Sequence, residues 1–564
     1  MHWDIEADVV VVGFGAAGAC AALEAAAAGR SVVVLDRFAG GGATALSGGV
    51  VYAGGGTPQQ RAVGVTDTAA AMFGYLRTEV GDVVPPETLR QFCDDSVSML
   101  GWLESHGVPF EGSLCPDKTS YPTNRHYLYY SGSEVSARAL AHPAPRGHRT
   151  RGRGTSGGLL FARLAAATRR AGVQVVPQTR AVRLITDGGA TDHGTTDHGT
   201  IDHGTTDHGR VTGVECRSLR AAPWWARTAH RVLHQAARKP YLYVPKAGRL
   251  MHRPVGWLER RYGRPLLVGA DRGVVLAAGG FGASRELLRA HAPSARGGLP
   301  LATPGDDGSG LLLGTAAGGA AALLDRVSVW RFLSPPPALL HGVLVDADGK
   351  RVCDESRYGA AIGDEIVRRG GRAWLFADRA TITAARRQLR GGALWFQRLQ
   401  AWYLLTFGRV TADTVAEVAA KAGVDPDGLA ATVAAYNAVA SGAGSAMPGS
   451  ARADPVADPA GKPADLTVAQ DQPPYSLIDF SIRPRLMYPA PVLTLGGLVV
   501  DHGTGQVLRA DGTAIPGLYA AGRSAVGLCS RSYVSGLSIA DCVFSGRRAA
   551  RHASAAAQVT PADS

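Results

Sequence analysis

From Asp8 to Val12 the chain reads DVVVV, a β-branched run, and glycines follow at 13, 15 and 18. Such a run, with no polar alternation, predicts a strand covered on both faces, as in a parallel sheet. The alanine-rich stretch 19–28 predicts a helix that ends at Gly29, and Val32 to Leu35 predicts a second buried strand with Asp36 at its end. The same passage from an apolar strand into small residues and glycine recurs in RGVVLAAGGFGAS (272–284) and GLYAAGRSAVG (517–527). GGGATALSGGVVYAGGG (40–56) is a loop of Gly, Ser and Thr. Tyrosines in YPTNRHYLYYSGSE (121–134) suit a half-buried strand or the wall of a channel. VLVDADGKRVCDE (343–355) predicts hairpin strands, and RGHR (146–149) a solvated basic turn. ALWFQRLQAWYLLTFGR (393–409) is amphipathic and aromatic, which fits a buried helix or one lining the mouth of a site. Near the end, SYVSG (532–536) runs directly into a helix of small residues.

The glycine spacing at 13, 15 and 18 suits a pyrophosphate. The first glycine permits a tight turn, the second a close backbone approach, and the third close packing of helix on strand. The helix N-terminus offers amide donors and a favourable dipole to the anion. Asp36, 18 residues after Gly18, stands where a ribose hydroxyl is held. Three separated segments converging on one ligand fit the length of FAD better than a shorter nucleotide. The expected contacts with non-covalent FAD are Gly13, Gly15, Ala16, Ala17, Gly18, Asp36 and Arg37 at the first turn. Gly42, Ala43, Thr44, Ser47, Gly48 and Gly49 are expected in the following loop. Ala278, Gly279, Gly522, Arg523, Leu537 and Ser538 are expected from the later segments.

As a set, VVVVGFGAAG, GGATALSGG, VVLAAGGF, TLGGLVVDHGTGQVL and LYAAGR resemble the flavoproteins of the fumarate reductase and 3-ketosteroid dehydrogenase superfamily. VVYAGGGTP, LYYSGSE, PAPRGHR, SRYGAAIG and SYVSG are most similar to the 3-ketosteroid Δ4-(5α)-dehydrogenases. The resemblance covers most of the chain apart from 187–268. It implies an α/β fold with an α+β catalytic insert: a Rossmann-like FAD domain from residues 1–281 and 488–564, with 282–487 as the substrate domain. It also implies catalytic roles for Tyr533, Ser535 and Tyr358 in a desaturation beside a ketone, removing an α proton and passing a hydride to flavin. Tyr533 hydroxyl and the Gly536 amide form a plausible pair of donors to the ketone oxygen. Which of the three hydroxyls takes the proton stays open. A tyrosine base, ordinarily titrating near 10, needs a lowered pKa or a relay. Dicarboxylate reductases of the superfamily carry an arginine where Tyr533 stands, although Arg531 is close enough for a slipped alignment. Δ1-desaturation, reduction of an activated alkene, and a membrane-attached flavoprotein passing electrons to another partner are the alternatives.

The net charge of +12 matters for where it sits. Residues 217–264 hold twelve Lys or Arg against the single acid Glu259, with Trp224, Trp225 and Trp257 among them. Basic residues interleaved with tryptophan and leucine suit a helix lying in lipid headgroups, so 217–268 is expected to make peripheral membrane contact, and no nucleic acid is expected. No apolar run is long enough to span a bilayer. MHWDIEADVVVVGFG leaves no room for a signal peptide, and seven scattered cysteines show no disulfide or metal spacing. A cytoplasmic protein, placed in part on the inner face of the membrane, is the expectation. Without iron–sulfur or haem motifs, electrons leave through a diffusible acceptor or quinone. TDHGTTDHGTIDHGTTDHG (191–209) reads as an expanded hairpin tip with no defined metal geometry.

Overall fold

The computed structural model describes residues 2–191, 209–293, 298–389, 393–442, 458–483 and 488–556. Its principal sheet begins with β1 (Ile5–Val12) and β2 (Val32–Asp36). It continues with β3 (Gln174–Pro177), β4 (Thr179–Thr186), β5 (Val211–Ser218) and β6 (Arg264–Leu276). The strand order is β3-β2-β1-β6-β5-β4. Val9, Val10 and Val11 are fully buried, because the β-branched run of β1 lies between β2 and β6 with helices over the sheet.

Strand β6 divides the sheet. Along β1 it is parallel throughout, from Ile5 opposite Val268 to Val12 opposite Leu276. On its other edge the first half is antiparallel to β5. The second half is parallel to a strand from the far end of the chain, Leu518 to Ala520 standing opposite Val274 to Leu276. The late strand and its antiparallel partner are β7 (Gln506–Leu508) and β8 (Ala514–Ala520), β8 being the one against β6. Sequence segments 8–12, 272–284 and 517–527 thus meet at the carboxyl ends of three adjacent parallel strands, where open α/β sheets bind ligands.

Helix α1 (Ala16–Ala27) crosses one face of the sheet. The C-terminal helix Leu537–Ala555 packs on it so closely that a Cβ on Gly546 would stand 2.5 Å from Ala17 O. A second, four-stranded antiparallel sheet joins Val343–Val345, Trp374–Ala377, Tyr475–Asp479 and Arg409–Ala412 in that order. All four strands fall inside the stretch expected to carry the substrate. Only the first arm of the expected 343–355 hairpin is a strand. The return is the single bridge Val345 to Arg351, because Arg351 turns to the buried carboxylates of Glu355 and Asp458.

The basic segment is a pair of helices, α2 (Trp224–Tyr243) and α3 (Pro245–Tyr262). They pack face to face through Gly248, where a Cβ would lie 2.2 Å from the Tyr241 Cα. The antiparallel flanks β4 and β5 make the hairpin expected around the Asp-His repeat, whose residues 192–208 lie outside the described ones. The RGHR stretch is not a solvated turn. Arg146, His148 and Arg149 are buried. Arg146 grips Asp67 through Nε and Nη2 at 3.0 and 2.7 Å, and burial takes the His148 imidazole down to about 4. The neutralising carboxylate comes from 79 residues earlier, a partner that local polarity does not reveal.

Candidate active site

One long cavity runs from the glycine turn after β1 to the SYVSG loop. At the first end Gly13, Gly15, Ala16 and Ala17 form its wall, so the positive end of α1 faces it. Gly13 sits at φ +103°, and a Cβ there would meet Ala277 O at 2.5 Å. A Cβ on Gly15 would meet only Thr44 Oγ1, at 3.5 Å. The turn is therefore held by Gly13, while Gly15 keeps the space beside it open. Thr44 Oγ1 accepts the Ala16 N–H at 3.0 Å, which ties the second loop to the helix start.

Asp36 holds the two turns together. Its Oδ2 accepts from Phe14 N–H at 2.9 Å, and its Oδ1 accepts from Phe38 and Gly40 at 2.8 and 3.0 Å. A carboxylate offers about four lone-pair positions, so one remains for a hydroxyl in the cavity. The guanidinium of Arg37, though at the cavity wall, is committed elsewhere. It binds Glu259 on α3 at 2.8 Å and Asp307 at 2.7 Å. Burial alone would raise the Glu259 carboxyl, but hydrogen bonds from His230 and Arg37 outweigh it and take the group down to about 2.

Farther along the wall stand Gly42, Ala43, Thr44, Ser47, Gly48 and Gly49, then Ala278, Gly279, Arg523 and Ser538. Arg523 pairs with Asp306 through Nη2, whereas its buried Nη1 has no hydrogen-bond partner among the described residues. Three expected cofactor residues are not brought to the wall. Gly18 packs under the turn, where a Cβ would lie 1.9 Å from Gly13 O. Gly522 lies against Ala17 and Cys542, and Leu537 is wholly in the core.

At the far end Tyr533, Ser535, Gly536 and Tyr358 reach the same wall. Tyr358 stands just before the helix Gly359–Arg368, and its ring centroid stands 6.4 Å from that of Tyr533. Trp330 packs 4.7 Å from Tyr533, and Phe332 5.4 Å edge-on to Tyr358. Ser535 Oγ lies 3.2 Å from Tyr129 OH. Ser131 Oγ donates to Ser535 O at 3.0 Å. That fixes the Ser535–Gly536 peptide, whose trans geometry sends the Gly536 N–H the opposite way. Arg531 is exposed and leans on Gly81, outside the cavity, whereas Tyr533 lines it. Burial pushes the phenols of Tyr533, Tyr358 and Tyr129 well above their ordinary value. A hydroxyl neighbour for a relay is present, Tyr129 OH beside Ser535.

Sequence reasoning did not find Phe38, His234 and Arg238 at the first end, nor Trp330, Phe332 and Tyr488 at the second, all on the same wall. His234 stacks on Phe38 with centroids 3.7 Å apart. Burial depresses the Arg238 guanidinium against the pull of Asp36, and its buried Nη2 has no hydrogen-bond partner among the described residues. No motif spacing marks these residues; only the crowding of aromatic and basic side chains near 224–262 was visible.

The family model described as FAD binding domain matches residues 8–536. The chain belongs to this family of FAD-binding flavoproteins. The flavoprotein is 36% identical to a 3-oxo-5-alpha-steroid 4-dehydrogenase of Comamonas testosteroni, over 93% of each chain. It is 28% identical to a 3-oxosteroid 1-dehydrogenase of Mycobacterium tuberculosis, over 94% of each. A crystal structure of 3-ketosteroid-delta4-(5alpha)-dehydrogenase from Rhodococcus jostii RHA1, in complex with 4-androstene-3,17-dione, matches with TM-score 0.76 and 30% identity, covering 98% of both chains. The residues present fit FAD: an open cradle at Gly15, a helix N-terminus, a spare acceptor on Asp36, and unpartnered guanidinium nitrogens on Arg238 and Arg523.

Proposed function

We propose that the flavoprotein desaturates a 3-ketosteroid beside its ketone, taking a 5α-3-ketosteroid to the 4-ene. The observation that carries this is the meeting of Tyr533, Ser535, Gly536 and Tyr358 on one wall with the FAD-binding residues, under the rings of Trp330 and Phe332. FAD, when bound, supplies the acceptor for the hydride from the β carbon. The protein's residues handle the carbonyl and the α proton. Tyr533 hydroxyl and the Gly536 amide donate to the ketone oxygen as negative charge develops there. Losing one such donor typically slows a reaction by about 10²–10³. Because the phenols are held protonated, Tyr533 donates at neutral pH. If Tyr358 or Ser535 takes the α proton, it hands on its own hydroxyl proton in the same step, and Ser535, standing against both Tyr358 and Tyr129, gives that handover a path along the three hydroxyls. A phenol offers one hydrogen bond where an arginine would clamp a carboxylate twice, which supports a ketone over a dicarboxylate.

In this reading electrons leave to a diffusible acceptor or quinone, and segment 217–268 makes the peripheral membrane contact through which so apolar a substrate arrives. Among the described residues no helix is long and apolar enough to cross a membrane.

The test is anaerobic mixing of the holoprotein with 5α-androstane-3,17-dione. Flavin absorbance should bleach rapidly, and Tyr533→Phe should slow bleaching by about 10²–10³ with FAD still bound. No bleaching with this substrate would set the reading aside.

A further inference from the structure

The outer face of α3, with Lys246, Arg249, Leu250, Arg253 and Trp257, lines none of the cavity that runs to Tyr533 and Tyr358. Helix α3 buries Gly248, Val255 and Leu258, and its opposite side carries two rows. Lys246, Arg249, Arg253 and Arg260 follow at intervals of three, four and seven residues, which places them along one edge. Leu250, Pro254 and Trp257 follow at four and three on the adjoining edge. Leu250 is 61% and Trp257 50% exposed, and Trp224 at the start of α2 is 77% exposed. Water gives no reason to display such side chains together, whereas the headgroup level of a bilayer takes up a tryptophan ring with arginines beside it.

The basic edge opens into a cleft. Lys246, Arg249 and Arg253 line it with Tyr241, facing Arg285 and Asp307. The carboxylate of Asp307 is already held by Arg37 at 2.7 Å. Burial lowers the Arg249 guanidinium, and the like charge of Arg285 lowers it further. Four cations around one concavity, their one facing acid taken, are arranged for a phosphate.

We infer that this face docks the protein on an acidic lipid bilayer, with a lipid phosphate between Lys246, Arg249, Arg253 and Arg285 and with Leu250 and Trp257 in the acyl boundary. The inference deepens the peripheral-contact part of the proposed function and is independent of which bond is desaturated. A lipid rather than a free phosphate is the occupant because the apolar row runs directly beside the basic one.

The test uses full-length holoprotein and sedimentation with vesicles, either pure phosphatidylcholine or phosphatidylcholine with about a third phosphatidylglycerol. Sedimentation is expected with the acidic vesicles alone, reversed by high salt. Each basic residue lost should weaken partition roughly fivefold, so Arg249→Gln with Arg253→Gln should weaken it about 25-fold with FAD absorbance unchanged. Trp257→Ser should weaken partition while leaving its salt dependence. Wild-type protein that stays in the supernatant, or sediments equally with both vesicles, overturns the inference. So does a double variant that partitions like the parent, or saturable binding of inorganic phosphate with no vesicle association. The same samples mixed with ketosteroid keep the two readings apart. Vesicle binding without flavin bleaching sinks only the steroid reading, and bleaching without binding sinks only this one.

Discussion

Asp364, six residues beyond Tyr358 on the helix Gly359–Arg368, shows how burial at one side chain becomes a property of the fold. Its carboxyl is raised to about 7 by desolvation, which outweighs the lowering from the Val329 N–H and Arg368, with the charge of Glu79 a smaller raising influence. In the unfolded chain it ionises near its ordinary value of 3.8. Between these two values the folded state holds the extra proton, so stability falls as pH rises and the loss is complete above about 7. Asp364→Asn cannot lose a proton. Its melting temperature should match the parent's near pH 4 and exceed it at pH 8, and equal gains at both pH values would count against this account. At the same scale, sequence gave access to Tyr533, Ser535 and Tyr358 because each lies in a short contiguous motif. Trp330 and His234 were not legible, since each reaches the cavity from an element joined to it only in three dimensions. Arg37 was legible in place but not in role, as Glu259 and Asp307 are 222 and 270 residues away.

Elements were easier to read than their partners. The β-branched runs and glycine breaks located β1, β2, the end of β6 and β8 to within a few residues, because a strand buried on both faces leaves no polar position to confuse the pattern. The fork in β6 was invisible: its antiparallel pairing with β5 and its parallel pairing with β8 follow from where distant strands arrive. Within the glycine turn the structure separates two roles that sequence spacing merges. Gly15→Val meets nothing but Thr44 Oγ1 at 3.5 Å and directs its side chain toward the cavity. It should leave a folded protein, by circular dichroism and melting, that purifies without flavin. Gly18→Val drives a Cβ to 1.9 Å from Gly13 O and against Val11. It should damage the sheet and helix themselves, with little soluble protein recovered. Similar behaviour of the two variants would mean that Gly15 packs rather than makes room.

Across the whole molecule the cavity is continuous, but its two ends come from different parts of the chain. The first end belongs to the turns after β1, β2 and β6. The second is made by the loop before the C-terminal helix, the strands near 330 and 491, and helix α4 (Trp395–Thr406). The loop at 303–307 braces the cofactor stretch of the wall, since Asp306 holds Arg523 and Asp307 holds Arg37. The sequence reading offered 393–409 either a buried place or one at the mouth of the site, and α4 takes both. Ala401 and Leu404 are buried, Trp395 and Trp402 are exposed, and Phe396, Gln397 and Gln400 line the cavity between. Gln400 is half-buried, so a larger side chain there enters the cavity without displacing the core. Gln400→Trp should therefore raise KM for a ketosteroid by tenfold or more, on the order of 1.4 kcal/mol of lost binding. FAD content, melting temperature and flavin reduction by dithionite should stay as in the parent. Loss of FAD along with substrate affinity would show that the two ends are one cooperative unit and that α4 supports the cofactor as well as the steroid.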